Sequence, residues 1–299
     1  MISNSRFDCP APDRNPRSCS FAMPPLATDC HAHVIGPAHL YPFVADRAYT
    51  PPDALLPDYL KVAETLGFRR IVLVQPSMHG TDNTVMLAAL ETVRAQGIDC
   101  FAIAGITPVI RDNELKLLHE SGVRGVRLNM IYRGGEAANI DSTAQLAARL
   151  RELGWCLEIL VDVSLLGPEL LSFDELGVPL VVDHFGHMPA RNGPHDPGFQ
   201  ALLELVRRGN TYVKLSGAYR LADGPDFPAD EITTLARALV DTAPDRMLWG
   251  TDWPHTMCMI PMPNDGALLD LLGEWVPDAA TRNKILVDNP AAVYGFTRA

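Results

Sequence analysis

Two histidines one residue apart, His31 and His33, stand inside the stretch TDCHAHVIG, Thr28–Gly36. Far along the chain, WGTDWPH sets Asp252 between two tryptophans after another apolar run. A third stretch, DHFGHMP, follows a further apolar run with Asp183, His184 and His187. Residues i and i+2 of a strand share a face, so His31 and His33 are expected to point the same way. Imidazoles and carboxylates at the ends of apolar strands are costly to bury without partners, which is a reason to expect chemistry there. An aspartate in such surroundings is either a metal ligand or a general base with a tuned pKa. The H-x-H spacing alone suits a metal, since zinc takes histidine nitrogens and carboxylate oxygens. A pair of hydrogen-bonded structural histidines is the plain alternative.

Arginines form the second group. GVRGVRLN carries Arg124 and Arg127, Arg133 follows shortly after, and SGAYRL supplies Arg220. A guanidinium inside an apolar setting must meet an anion or a carboxylate. Several of them near one mouth predict a pocket for a small acidic molecule, although Arg124 also reads as a solvated surface charge. QPSMHGTDN adds Gln75, Ser77 and His79. The Ser77 hydroxyl could bond a substrate oxygen; otherwise the stretch is a helix-capping loop.

These residues need elements to hold them. Eight near-continuous apolar runs, rich in Val, Ile and Leu, fall at 27–34, 70–75, 100–106, 122–129, 156–161, 180–184, 211–217 and 247–253. Such runs suit parallel strands covered by helices. Helical patterns lie between them. One opens at Asp82 or Asn83 and stops at Gly97, one opens at Asp141 or Ser142 and stops at Gly154, and one stops at Gly209. Eight such units predict an α/β chain folded as a single (β/α)8 TIM barrel over residues 27–299. The Pro- and Ser-rich residues 1–26 are expected as a loose N-terminal arm. An open doubly wound sheet is the alternative, but no G-x-G-x-x-G follows the first strand. In a barrel the active site lies where strands end, and that is where these histidines, arginines and Asp252 fall.

Composition narrows the partners. The 299 residues are 47% hydrophobic and carry a formal net charge of −11. This argues against nucleic acid and anionic membranes as partners, but not against a small anionic substrate. The six cysteines include no C-x-x-C pair, so reduced thiols and a cytoplasmic location are expected. No apolar run reaches the roughly 18 residues of a membrane span, and the N-terminus lacks the layout of a secretory signal. Homo-oligomers are compatible with all of this.

Taken together, D-C-H-A-H-V on the first strand, D-H-F-G on the sixth and W-G-T-D-W-P-H on the eighth resemble the amidohydrolase superfamily. The likeness is to the amidohydrolase-2 branch that contains the 2-pyrone-4,6-dicarboxylate lactonases of lignin-derived aromatic breakdown. It extends through HVIGP, RAYTPPDA, LGFRRIVLVQPSMHGTDN, GVRGVRLN and the closing Asn289–Tyr294. The resemblance implies hydrolysis of an anionic lactone, 2-pyrone-4,6-dicarboxylate or a related acidic one. It makes Asp252 the base that activates water and places His31, His33 and His184 around the lactone carbonyl. It gives Tyr49, Ser77, Arg127, Arg133 and Arg220 to the substrate and its acid groups.

Two positions depart from that pattern. Leu160 stands where the family has a tyrosine, and His187 where it has an arginine, so His187 becomes the substrate-facing residue there. A lactone with one carboxylate, a sulfonate or a sugar acid would fit as well. Metal-binding members also use a strand-five histidine, which GWCLEILVDV lacks, and two-metal members a strand-four lysine, also missing. No cofactor is therefore expected. The alternative is zinc on His31, His33 and Asp252, with Glu158 as a further ligand, in a metal-dependent lactonase or decarboxylase. A non-catalytic organic-acid binder would not need a base.

Overall fold

The apolar runs fold as eight parallel strands in a computed structural model, which describes residues 6–107, 109–132 and 140–297. They are β1 (Thr28–Ala32), β2 (Arg70–Val74), β3 (Asp99–Ala104), β4 (Val123–Asn129), β5 (Cys156–Leu160), β6 (Leu180–Val182), β7 (Thr211–Lys214) and β8 (Met247–Leu248). Each pairs in parallel with its neighbour in sequence. The ring closes between the last strand and the first. Cys30 N donates to Trp249 O at 3.0 Å, Asp252 N to His31 O at 2.8 Å and His33 N to Trp253 O at 2.8 Å. The predicted barrel is what forms.

Among the described residues, seven α-helices of ten residues or more cover its outside: α1 (Leu56–Leu66), α2 (Thr84–Ala95), α3 (Asp112–Ser121), α4 (Ile140–Leu153), α5 (Pro197–Arg208), α6 (Ala229–Thr242) and α7 (Asp265–Trp275). Of the helix signals read from sequence, Asp82 and Gly209 operate, whereas Asn83 at the N-cap of α2 makes no side-chain bond and α4 begins at Ile140, before Asp141. Asp82 accepts from Thr84 N at 3.0 Å at the start of α2. Asp196 accepts from Gly198 N at 2.8 Å at the start of α5, and Gly209 closes that helix with φ +89°. After β5 the chain departs from the regular unit. A four-residue helix, Val163–Leu166, runs into the 3-10 turns of Gly167–Leu176, where Gly167 and Pro168 break the α pattern.

Inside the barrel the side chains form levels. Toward the N-terminal ends of the strands, Cys30, Val72, Cys156, Val181, Tyr212 and Leu248 make an apolar floor, packed against Tyr294 and Phe296 of the C-terminal segment. Above that floor the interior becomes charged. Residues 6–26, expected as a loose arm, are tied down instead. Phe7–Asp8 pairs with Tyr49–Thr50, Asn264 Nδ2 donates to Asp13 at 2.8 Å, and Asp270 takes Ser20 N at 2.5 Å and Arg17 at 2.6 Å. Such contacts join residues far apart in sequence, so local composition carries no trace of them.

Candidate active site

At the C-terminal rim the structure brings His31, His33, His184 and Asp252 together, all buried. Asp252 Oδ1 lies 3.7 Å from His31 Nε2, 3.8 Å from His33 Nε2 and 3.8 Å from His184 Nε2. That oxygen has no hydrogen-bond partner among the described residues. The other carboxylate oxygen is fully engaged, accepting from Tyr219 Oη and Arg220 Nε, each at 2.6 Å. One oxygen is thus anchored while the other faces three imidazoles.

The local sequence explains this placement. A bulge in β1 between Asp29 and Ala32 breaks simple alternation. It leaves Asp29 against Tyr59 of α1, while His31 and His33 reach the interior. Gly250 lets β8 pass beside His31, where a Cβ would fall 2.7 Å from the histidine Cβ. Gly217, at φ +59°, leaves room for His184 Nδ1 and Asp252 Oδ2, both of which a Cβ would meet within 3 Å. Among the described residues, six of the seven non-glycine positions with positive φ cluster here: His184, Phe185, His187, Asp252, His255 and Met257. Left-handed backbone at bulky residues is strained and tends to gather at functional sites. The last strand, β8, ends at Leu248, earlier than the apolar run through Trp253 predicted.

Asp29 braces the turn that carries Asp252. Its carboxylate accepts from Tyr59 Oη at 2.9 Å, Thr251 Oγ1 at 2.7 Å, Thr251 N at 3.0 Å and His31 N at 3.1 Å. Burial nevertheless pushes its pKa up to about 6. Removing this hub strands several buried donors at once. Asp29→Ala is expected to lose about 3 kcal/mol of stability. A urea melt showing a loss under half of that would contradict the brace.

The charge states follow from burial and neighbours. Burial alone would raise Asp252, but Arg220 foremost, then His184 and His31, hold its carboxyl well below the usual range. Burial, with the positive charge of Lys214, lowers His31 to about 3. Burial, with Arg127, lowers His33 to about 3. At neutral pH the site is an aspartate anion facing neutral imidazoles. His33 Nδ1 donates to the Val74 carbonyl at 2.7 Å, leaving its Nε2 bare. His184 Nδ1 meets Ser216 Oγ at 2.9 Å.

Beneath these groups lies a residue the sequence reading passed over. Lys214, buried in β7, reaches Glu158 Oε2 at 2.5 Å, His31 Nδ1 at 3.1 Å and Asp183 Oδ1 at 3.2 Å. Its signal was present: a lysine inside the apolar run TYVKLSG, with Ser216 two places on. Arg127 donates to the Gln75 carbonyl and lies 3.7 Å from Asp183, so it meets a carboxylate of the protein.

Arg220, which holds Asp252, also lines a cleft of about 460 Å³ together with Tyr132, Leu165, His187 and Met257. Tyr132 Oη meets His187 Nε2 at 3.1 Å. Burial, with Arg220 nearby, lowers His187 to about 4, so it is neutral at neutral pH. Across the rim, Tyr49 Oη and Ser77 Oγ are 3.0 Å apart. Leu160 is buried at the end of β5. Arg133 lies outside the described residues. Arg124 sits over the Phe101 ring at 4.5 Å, and His79 packs on Phe43, so neither joins the cluster.

Three donors could converge on a metal: His31, His33 and Asp252 offer atoms within 4.8 Å of one another, as do His31, Asp183 and His184. Their surroundings do not fit a dication. The cations Lys214, Arg127 and Arg220 already match the carboxylates Glu158, Asp183 and Asp252. Zinc would add two positive charges beside them.

An eight-stranded parallel barrel with H-x-H at the end of its first strand and an aspartate after its last defines a class of barrel enzymes. The chain belongs to the amidohydrolase family, whose model matches residues 28–296. It is 38% identical over 294 residues to the 4-sulfomuconolactone hydrolase of Hydrogenophaga intermedia, covering 96% of this chain and 94% of that one. It is 36% identical to the 2-pyrone-4,6-dicarboxylate hydrolase of Comamonas testosteroni, covering 94% and 93%. A solved apo structure from Agrobacterium tumefaciens superposes with a TM-score of 0.83 at 28% identity, covering 94% of this chain and all of that one. No described helix is long and apolar enough to cross a membrane.

Proposed function

We propose that this chain is a lactonase that opens the ester bond of an anionic lactone in the catabolism of aromatic compounds. One observation carries the reading: the unpartnered oxygen of Asp252 faces three imidazole nitrogens at 3.7–3.8 Å, and Arg220, which holds the same carboxylate, lines a cleft with His187. The relatives named for sulfonated and dicarboxylated lactones support the substrate class. The acid group of the lactone meets Arg220 and His187. Asp252 Oδ1 takes a proton from water, and the hydroxide attacks the carbonyl carbon. Charge developing on the carbonyl oxygen is met by N–H groups of His31 and His184. The ring C–O bond then breaks, the leaving oxygen takes back the proton held on Asp252, and the open-chain acid departs with Asp252 an anion again. His33, its Nε2 bare, accepts from the water. Tyr49, Ser77 and Arg133 serve the far side of the ring or a second acid group.

An activated ester asks less of a catalyst than an amide does, so a base and fixed donors suffice without a metal. Neutral His187 and apolar Leu160 favour a lactone with a single acid group, a sulfonate or a carboxylate. Six unpaired thiols support a reducing, cytoplasmic setting. The test is a hydrolysis panel of lactones with no, one or two acid groups, run with and without chelator. It includes 2-pyrone-4,6-dicarboxylate and 4-sulfomuconolactone. Acid-bearing lactones are expected to open at rates the chelator leaves unchanged. Absence of turnover on all of them would defeat the reading.

A further inference from the structure

Lys214 is buried one level below the reacting groups and touches neither the cleft nor Asp252 in the contacts described above. Its neighbours raise the question of what a buried ammonium does there. Glu158 and Asp183 balance its charge. The third contact differs in kind. Lys214 Nζ is in hydrogen-bonding line with His31 Nδ1 at 3.1 Å. Asp183 Oδ1 lies 3.2 Å from the same nitrogen without hydrogen-bond geometry, and competes for it through its charge. An ammonium has three donors and no acceptor, so the nitrogen it faces must offer a lone pair. The ring proton of a neutral His31 is then on Nε2, the atom that has no partner and lies 3.7 Å from Asp252 Oδ1. His33 is in the opposite state, because the Val74 carbonyl can only accept and takes the Nδ1 proton.

We infer that Lys214 is a positioning residue that fixes His31 as the Nε2–H tautomer, so that the two histidines of the H-x-H pair are held in opposite tautomers, one a donor and one an acceptor. Two consequences follow from where that proton sits. His31 presents an N–H to the oxygen of a bound carbonyl without having to gain charge. The same N–H occupies the lone pair that a metal at Nε2 would require. A metal-ligand spacing is thereby converted to a donor–acceptor pair by a residue from a different strand. The role of the donor in turnover rests on the lactonase reading; the position of the proton does not.

The experiment separates the two. Nitrogen-15-labelled histidine in the full chain, read by two-bond proton–nitrogen correlation at neutral pH, reports each tautomer directly. The His31 signal is assigned by its loss in His31→Asn. Wild type is expected to show Nε2–H for His31 and Nδ1–H for His33; Nδ1–H at His31 would overturn the inference whatever the protein hydrolyses. Lys214→Met combined with Glu158→Gln removes the buried pair together, so no lone charge is left. In that variant the proton is expected to move to Nδ1, facing Asp183. Zinc, titrated against a chromophoric chelator, is expected to bind about 10- to 100-fold more tightly than to wild type. An unchanged tautomer in the folded variant would also overturn the inference. If the variant fails to fold, the wild-type spectrum still decides. Lactone turnover by wild type bears only on the proposed function.

Discussion

Asp252→Asn is expected to lower kcat by about 10²- to 10⁴-fold, the contribution of a well-placed general base, while leaving the barrel folded. The substitution keeps the shape and keeps an acceptor for Tyr219 and Arg220, which hold Oδ2 at 2.6 Å each. It replaces the oxygen that faces the three imidazoles by an amide that cannot take a proton from water. A far-ultraviolet dichroism spectrum like wild type, with kcat lowered by that factor, is the expected pair of results. Near-full activity in the folded variant would remove Asp252 from the base role.

The same groups set the pH profile of wild type. Asp252 is held well below the usual carboxylate range, and His31 and His33 are lowered to about 3. Both kinds of group stay deprotonated as acid is added. Asp252, His31 and His33 should therefore add no acid limb to kcat/KM between about pH 8 and about pH 5; Asp29, at about 6, is the group beside them that titrates in that range.

Much of this site was legible in sequence because strand ends mark it. The apolar runs give eight strands, and a polar residue in the last positions of a run or just past it is a candidate for the rim. His31, His33, His184, Arg220 and Asp252 are all found that way. What stayed hidden is pairing across the barrel. Nothing near Lys214 in sequence tells that it meets Glu158 of β5 and His31 of β1. Nor does the alternation of β1 reveal the bulge that sends Asp29 to Tyr59. Arg220 was read as a hand for the substrate, yet among its partners is Asp252. Each of these depends on which strands become neighbours in a closed ring, and a linear pattern does not carry that.

Arg220→Met tests that last pairing and is expected to lower kcat/KM for an acid-bearing lactone by about 10²- to 10³-fold, the order lost with a buried charged binding partner, and separately to cost about 3–5 kcal/mol of stability. Two separate effects contribute. The guanidinium lines the cleft, so its loss weakens binding of the acid group and raises KM. It also holds Asp252 low, and without it the rise due to burial is less opposed. A raised carboxyl pKa leaves the base protonated on the acid side, so an acid limb from Asp252 should enter that wild type lacks. Stability follows the same sign. A depressed aspartate contributes stability above its unfolded pKa that is lost as pH falls through its folded value. The variant should therefore be weaker than wild type at neutral pH, with the gap narrowing as acid is added. A lactone without an acid group separates the effects: it should keep its KM while gaining the acid limb. Equal losses on charged and neutral lactones with an unchanged pH profile would make Arg220 a packing residue. A bound acid group that draws Arg220 toward itself would act on Asp252 in the same direction as the mutation. On that account, the substrate that needs the base also makes it a stronger one.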